Sequence, residues 1–153
     1  MKIFIKFLFV ILVFLSKEAI SLEKGEWSFI KEDNWCYIGS IPTKEEGKYT
    51  KRGDVYLIVY KINQSTEIIV QINAGYNYKE NEPVEIIIDQ VSFDMFSDGD
   101  SAWSEKQDNE ITYAMMKGKE MIVRGISSRE TLTKDTYTLI GFTAAFNKLK
   151  RDC

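Results

Sequence analysis

Histidine is absent from the chain of 153 residues. That excludes Ser-His-Asp and Cys-His nucleophilic catalysis, histidine-ligated zinc or copper, and an imidazole switch near neutral pH. A long hydrophobic run is missing as well. The longest, residues 7–15 (FLFVILVFL), has nine apolar residues, whereas a bilayer-crossing helix needs roughly 20. Nor is there an excess of positive charge: the formal net charge is −3, which argues against general binding to nucleic acid or to an anionic membrane surface. With two cysteines in the whole chain, no cysteine-rich zinc framework is available.

What is present begins with an export signal. Lys2 and Lys6 precede or border the apolar run, residues 16–21 are more polar, and Ala19 and Ser21 supply small residues at positions −3 and −1 of a cleavage site. This is the layout of a secretory signal peptide cut before Leu22. The residue directly after that point is Leu22 and not cysteine, so a lipoprotein is not expected. Residues 1–21 are therefore read as a leader and residues 22–153 as one domain with a sizeable core. Cys36 and Cys153 both survive cleavage, and an even count in an oxidising compartment favours a disulfide. Such a bridge closes nearly the whole domain, worth about 4–5 kcal/mol at most in the chain-entropy account; two buried or reactive thiols are the alternative.

Along the mature chain, strand-like alternation recurs between short polar turns. Strands are expected over residues 27–31, 35–41, 54–62, 66–72, 84–89, 91–96, 121–126 and 133–140, with residues 101–103 returning the chain to the core. Pro42 ends the second strand. Residues 43–53 read as an exposed polar loop, and the basic cluster Lys44, Lys48, Lys51 and Arg52, diluted by Glu45 and Glu46, as solvated. Residues 108–118 suggest a short helix with Asp108 as its cap and Gly118 as its stop. From Thr143 the apolar period becomes helical, so that Phe142, Ala145, Phe146, Leu149 and Cys153 share one face. Together these give a mainly β protein: an antiparallel β-sandwich of about eight strands, a short internal helix and a C-terminal helix.

Chemistry-bearing residues are few. Tyr76 and Tyr78, near Gly75, offer aromatic surface with polar tips, although tyrosines there also serve to cap the end of a core. Asp94, Asp98 and Asp100 crowd around Gly99 and could hold calcium, but their spacing is not that of a twelve-residue calcium loop, and a turn accounts for them. No metal or cofactor is expected, and the Met115-Met116 pair reads as core filling. A glycosidase-like acid pair drawn from these aspartates and Glu105 is a third-ranked reading. Residues 63–65 form an Asn-Gln-Ser sequon, a motif that occurs often by chance. Arg124 and Arg129 lie close to Ser127 and Ser128, where an anion could bind or where arginines could satisfy strand-end carbonyls.

The run MMKGKEMIVRGISSRETLTKDTYTLIGF (residues 115–142), with Ala144, Ala145 and Cys153, resembles the C-terminal signature of the invasion-associated locus B family of exported proteobacterial proteins. WCYIGSIP (35–42), RGDVYLIV (52–59), NAGYNY (73–78) and FDMFSDGDSAW (93–103) are similar to the family's other blocks, in the same order. One departure stands out. Glu130 occupies the place of a glycine in the family's usual Ser-Arg-Gly-Thr.

The resemblance implies a periplasmic or surface β-rich domain, associated in some pathogens with host-cell entry, and carries no catalytic residues. The resulting expectation is a non-enzymatic exported protein that binds an envelope or host-surface macromolecule, with a small-ligand or anion-binding module using Arg124, Arg129, Ser127 and Ser128 as the alternative. Non-reducing intact-mass measurement on protein exported by its own cells is expected to show a chain starting at Leu22 with no free thiol; a retained leader or two alkylatable cysteines would contradict this reading.

Overall fold

A computed structural model describes residues 21–153, and the reading of residues 1–21 as a leader lies, Ser21 apart, outside them. Ten strands form one antiparallel sheet with the order β1-β2-β4-β5-β8-β7-β6-β9-β10-β3. They are β1 (Ser28–Lys31), β2 (Trp35–Ser40), β3 (Lys44–Gly47), β4 (Tyr56–Ile62), β5 (Ile69–Asn73), β6 (Val84–Ile88), β7 (Val91–Asp98), β8 (Ser101–Ser104), β9 (Glu120–Ile126) and β10 (Leu132–Thr138). Helix α1 (Asp108–Lys117) lies between β8 and β9, and α2 (Phe142–Asp152) ends the chain. The mainly β reading and both helices stand, and the antiparallel β-sandwich of about eight strands is an approximation to the ten strands found. One sheet curls into a half-barrel.

The difference has a physical cause. Alternation identifies strands, whereas pairing depends on contacts distant in sequence. The additional strand β3, KEEG, has no apolar residue to announce it. It lies in the stretch expected to be loop and pairs with β10, from Thr133 opposite Gly47 to Thr136 opposite Lys44. Because β1 and β3 are the two end strands of the sheet, the short link of residues 41–43 carries the chain from β2, beside one end, to the other end. Thr43 secures the crossing, its N–H and hydroxyl both donating to the Thr136 carbonyl, at 2.7 and 3.0 Å.

Inward positions alternate along each strand as a curled sheet requires. Ile38 lies beside Val59, Val59 beside Val70, Ile86 beside Val123, and Met121 beside Tyr137, and all are buried. Phe93 and Met95 are buried, whereas Val91, two residues earlier on the same face, is 52% exposed because it sits at the hairpin end. The helices complete the same core, with Ile111 and Met115 from α1 and Phe142, Phe146 and Leu149 from α2 all buried in it. Asp108 does not cap its own helix; its carboxylate accepts the Val70 N–H at 2.7 Å and so ties α1 to β5.

Cys36 and Cys153 form a disulfide that fixes the end of α2 to β2, with Cα atoms 5.9 Å apart. Trp27 holds the start of the helix, donating from its indole to the Thr138 carbonyl at 2.9 Å and packing edge-on against Phe142. Burial on that side is apolar. Along β10 the inward residues run Thr133, Asp135, Tyr137 and then Leu139 just beyond it, so the interior grades from polar to apolar, and the polar end is where three loops meet.

Candidate functional site

The polar end is organised by Arg52. This residue belongs to the basic cluster expected to be solvated, yet its side chain is only 3% exposed, as is that of Asp135. Two 2.7 Å hydrogen bonds run from the guanidinium to the two oxygens of Asp135, and Nε donates to the Ala74 carbonyl at 2.7 Å. The bidentate geometry is that of an ionised pair. Burial pushes the Asp135 carboxyl up from its ordinary range while Arg52 pulls it back. Burial alone would lower the guanidinium, but Asp135 outweighs it and holds it above its ordinary value.

Aromatic rings enclose this pair. The Arg52 guanidinium carbon lies 5.0 Å from the centre of the Tyr76 ring and 5.4 Å from that of Tyr49, within cation–π range. Tyr76 shares a 2.6 Å hydrogen bond with the Thr133 hydroxyl and meets Tyr78 edge to face at 5.3 Å. Burial raises the Tyr78 hydroxyl well above its usual value. Tyr137, fully buried deeper in the core, is raised in the same direction for the same reason.

Two glycines let the loops approach. Gly75 has φ +70, and a Cβ there would lie 2.5 Å from the Gly53 carbonyl oxygen, because the 53 and 75 backbones are joined by a 2.8 Å hydrogen bond. A Cβ on Gly125 would stand 2.7 Å from both the Tyr76 hydroxyl and the Tyr78 ring. No larger residue fits either place without displacing a neighbour.

The third wall is the turn at residues 127–131. The Ser127 N–H donates to the Thr131 carbonyl, and the Ser127 hydroxyl accepts the N–H groups of Arg129 and Thr131 at 3.2 and 3.1 Å. Its oxygen thus organises the turn. The Ser128 N–H donates to the Asn77 carbonyl at 2.8 Å, binding this turn to the tyrosine loop. Glu130 has φ +65, the left-handed region in which glycine is unstrained. Its carboxylate pairs with Lys79 at 3.0 Å.

Together the three loops line a cleft of about 580 Å³. Of the residues singled out from sequence, Tyr76, Ser127, Ser128 and Arg129 line it. Tyr78 stands behind it, 6% exposed and part of the core. Arg124 is elsewhere, paired with Glu85 at 3.7 Å beside a separate groove. Lys48, Tyr49, Lys51 and Arg52, which also line the cleft, were not expected there. The available signal was Asp135 itself, an acid placed between Thr133 and Tyr137 on the inward face of β10, which requires a buried cation. Asp94, Asp98, Asp100 and Glu105 are exposed, Gly99 turns at φ +60 among them, and among the described residues no cluster of acids, cysteines or histidines suits a metal.

Comparison with known proteins accords with this fold. The sequence profile of the family described as "Invasion associated locus B (IalB) protein" matches residues 28–150. The chain belongs to the IalB family. A crystal structure of invasion associated protein B from Bartonella henselae is similar in fold, with a TM-score of 0.51 at 14% identity over 80% of this chain and 96% of that one. No curated protein sequence matches. The IalB blocks noted in the sequence map onto β2, β4, the 73–78 tyrosine loop, the β7–β8 hairpin, and the region from α1 to α2. Three of them, at 52–59, 73–78 and 115–142, supply cleft residues.

Two outcomes test this construction. Arg52→Met leaves the Asp135 carboxylate buried without its partner and is expected to cost about 3–5 kcal/mol in urea unfolding, while Arg52→Met/Asp135→Leu recovers most of that loss. Glu130→Gly is expected to be more stable than Glu130→Ala by about 1 kcal/mol, since both lose the Lys79 contact and only glycine relieves the left-handed backbone. Equal melting temperatures for the two Glu130 variants would show that the turn is not strained.

Proposed function

We propose that this IalB-family chain is an exported, non-enzymatic protein of the periplasm or cell surface that binds an envelope or host-surface macromolecule through its cleft. The supporting observation is the makeup of that cleft. It presents tyrosine rings, hydroxyls and cations, its lining includes no carboxylate, and its one serine with a defined role holds a turn. The buried acid beside it, Asp135, is committed to Arg52. The leader-like segment and the Cys36–Cys153 bridge support an oxidising destination. The family's name supports a link to invasion.

The convergence of Ser127, Ser128 and Arg129 on one concavity favours a second reading, anion binding, with Lys48 and Lys51 in the role first given to Arg124. Affinity capture from the native envelope is expected to recover a macromolecular partner with the wild-type protein and to lose it with Lys51→Glu/Arg129→Glu. Turnover of a glycan, ester or peptide, abolished by Asp98→Asn or Asp100→Asn, would replace the binding reading with a hydrolytic one.

A further inference from the structure

We infer that the cleft takes hold of an anionic saccharide, a sugar carrying a phosphate or carboxylate group. This rests on the binding reading above and specifies the chemistry of what is bound. Four cations line the cleft, Lys48, Lys51, Arg52 and Arg129. Arg52 is neutralised by Asp135 at 2.7 Å, with Glu45 a further 3.8 Å contact. The other three form no ion pair among the described residues. They come from two loops far apart in sequence and are exposed, on a chain whose formal net charge is −3. Their concentration is therefore not a by-product of a basic surface. The one acid within their turn, Glu130, lies outside the lining and is drawn to Lys79. Three uncompensated cations around one concavity focus a field that attracts a multivalent anion.

Size and lining narrow the class. A cleft of about 580 Å³ is far larger than a lone oxyanion requires and falls in the range of small-ligand sites, roughly 300–1,000 Å³. Between the cations the walls offer Thr50, Asn77, Ser128 and Thr131, which both donate and accept hydrogen bonds, as sugar hydroxyls do. Tyr49 and Tyr76, whose rings lie against the Arg52 guanidinium, add aromatic surface to the lining, and sugar C–H groups pack against such surface. An acidic peptide is a poorer match, because the cleft supplies neither a row of strand-edge hydrogen-bonding groups nor an apolar anchor pocket.

The test is an amide-resolved NMR titration of the exported, disulfide-bonded protein with D-glucose 6-phosphate and with D-glucuronate, using D-glucose, inorganic phosphate and an Asp-Glu tetrapeptide as comparisons. Saturable shifts at residues 49–52 and 127–131 are expected from at least one sugar anion, and the one that binds tells whether phosphate or carboxylate is the recognised group. Glucose should leave these amides unmoved, and inorganic phosphate and the tetrapeptide should bind more weakly than the sugar anion. Lys51→Glu/Arg129→Glu should weaken the sugar anion by about tenfold or more, the loss expected for charge-assisted hydrogen bonds, with an unchanged melting temperature.

Silence from both sugar anions, shifts confined to other surfaces, an equal response to glucose, phosphate or the peptide, or an unaffected variant would each overturn the inference. If both sugar anions are silent while the wild-type cleft still captures an envelope partner, the saccharide inference fails and the binding reading stands. If capture fails as well, both fall.

Discussion

The Arg52–Asp135 pair is the constraint on which the polar end of this molecule depends. Removing two ions from water costs several kcal/mol each, and only near-complete hydrogen bonding offsets it. Here one guanidinium satisfies both carboxylate oxygens and the Ala74 carbonyl while lying between two tyrosine rings. Each demand draws in a different stretch of chain. Asp135 brings β10, Ala74 and Tyr76 bring the loop after β5, and Tyr49 brings the segment after β3. The cleft is the outer side of this arrangement, and its shape follows from electrostatic necessity as much as from packing.

The opposite end is held by different physics. There the core is apolar, α2 closes it with Phe142, Phe146 and Leu149, and the covalent link between Cys36 and Cys153 fixes the closure. The two ends are joined through one buried cluster, in which Tyr78 and Tyr137 meet the residues that α2 supplies. At 14% identity the Bartonella henselae structure still shares the fold.

Much of the local structure was legible in the sequence. Helices α1 and α2 and most strands fall where periodicity places them, because their apolar residues repeat at the spacing of the faces they bury. Cys36 and Cys153 were expected as partners from their number and compartment alone. What was hidden depends on distant contacts. KEEG carries no apolar signal, so β3 becomes visible only through its pairing with β10. Arg52 looked like one more member of a basic loop, because nothing nearby in sequence reveals that Asp135 awaits it eighty-three positions later. The same long reach separates Arg124, which points to Glu85, from Arg129, which reaches the cleft only five residues further on.

The crossing at residues 41–43 sets the order in which this architecture can be completed. Strand β3 leaves the ribosome before its hydrogen-bonding partners, residues 133–136 of β10, and Cys36 must wait for Cys153, 117 positions later. The N-terminal third thus emerges with an unfilled edge and an unmatched thiol, which keeps it from locking into its final form until residues 133–153 have followed. Contacts so remote slow folding, so the stretch between Cys36 and Cys153 stays pliable until both of its ends are in place and then closes as a unit.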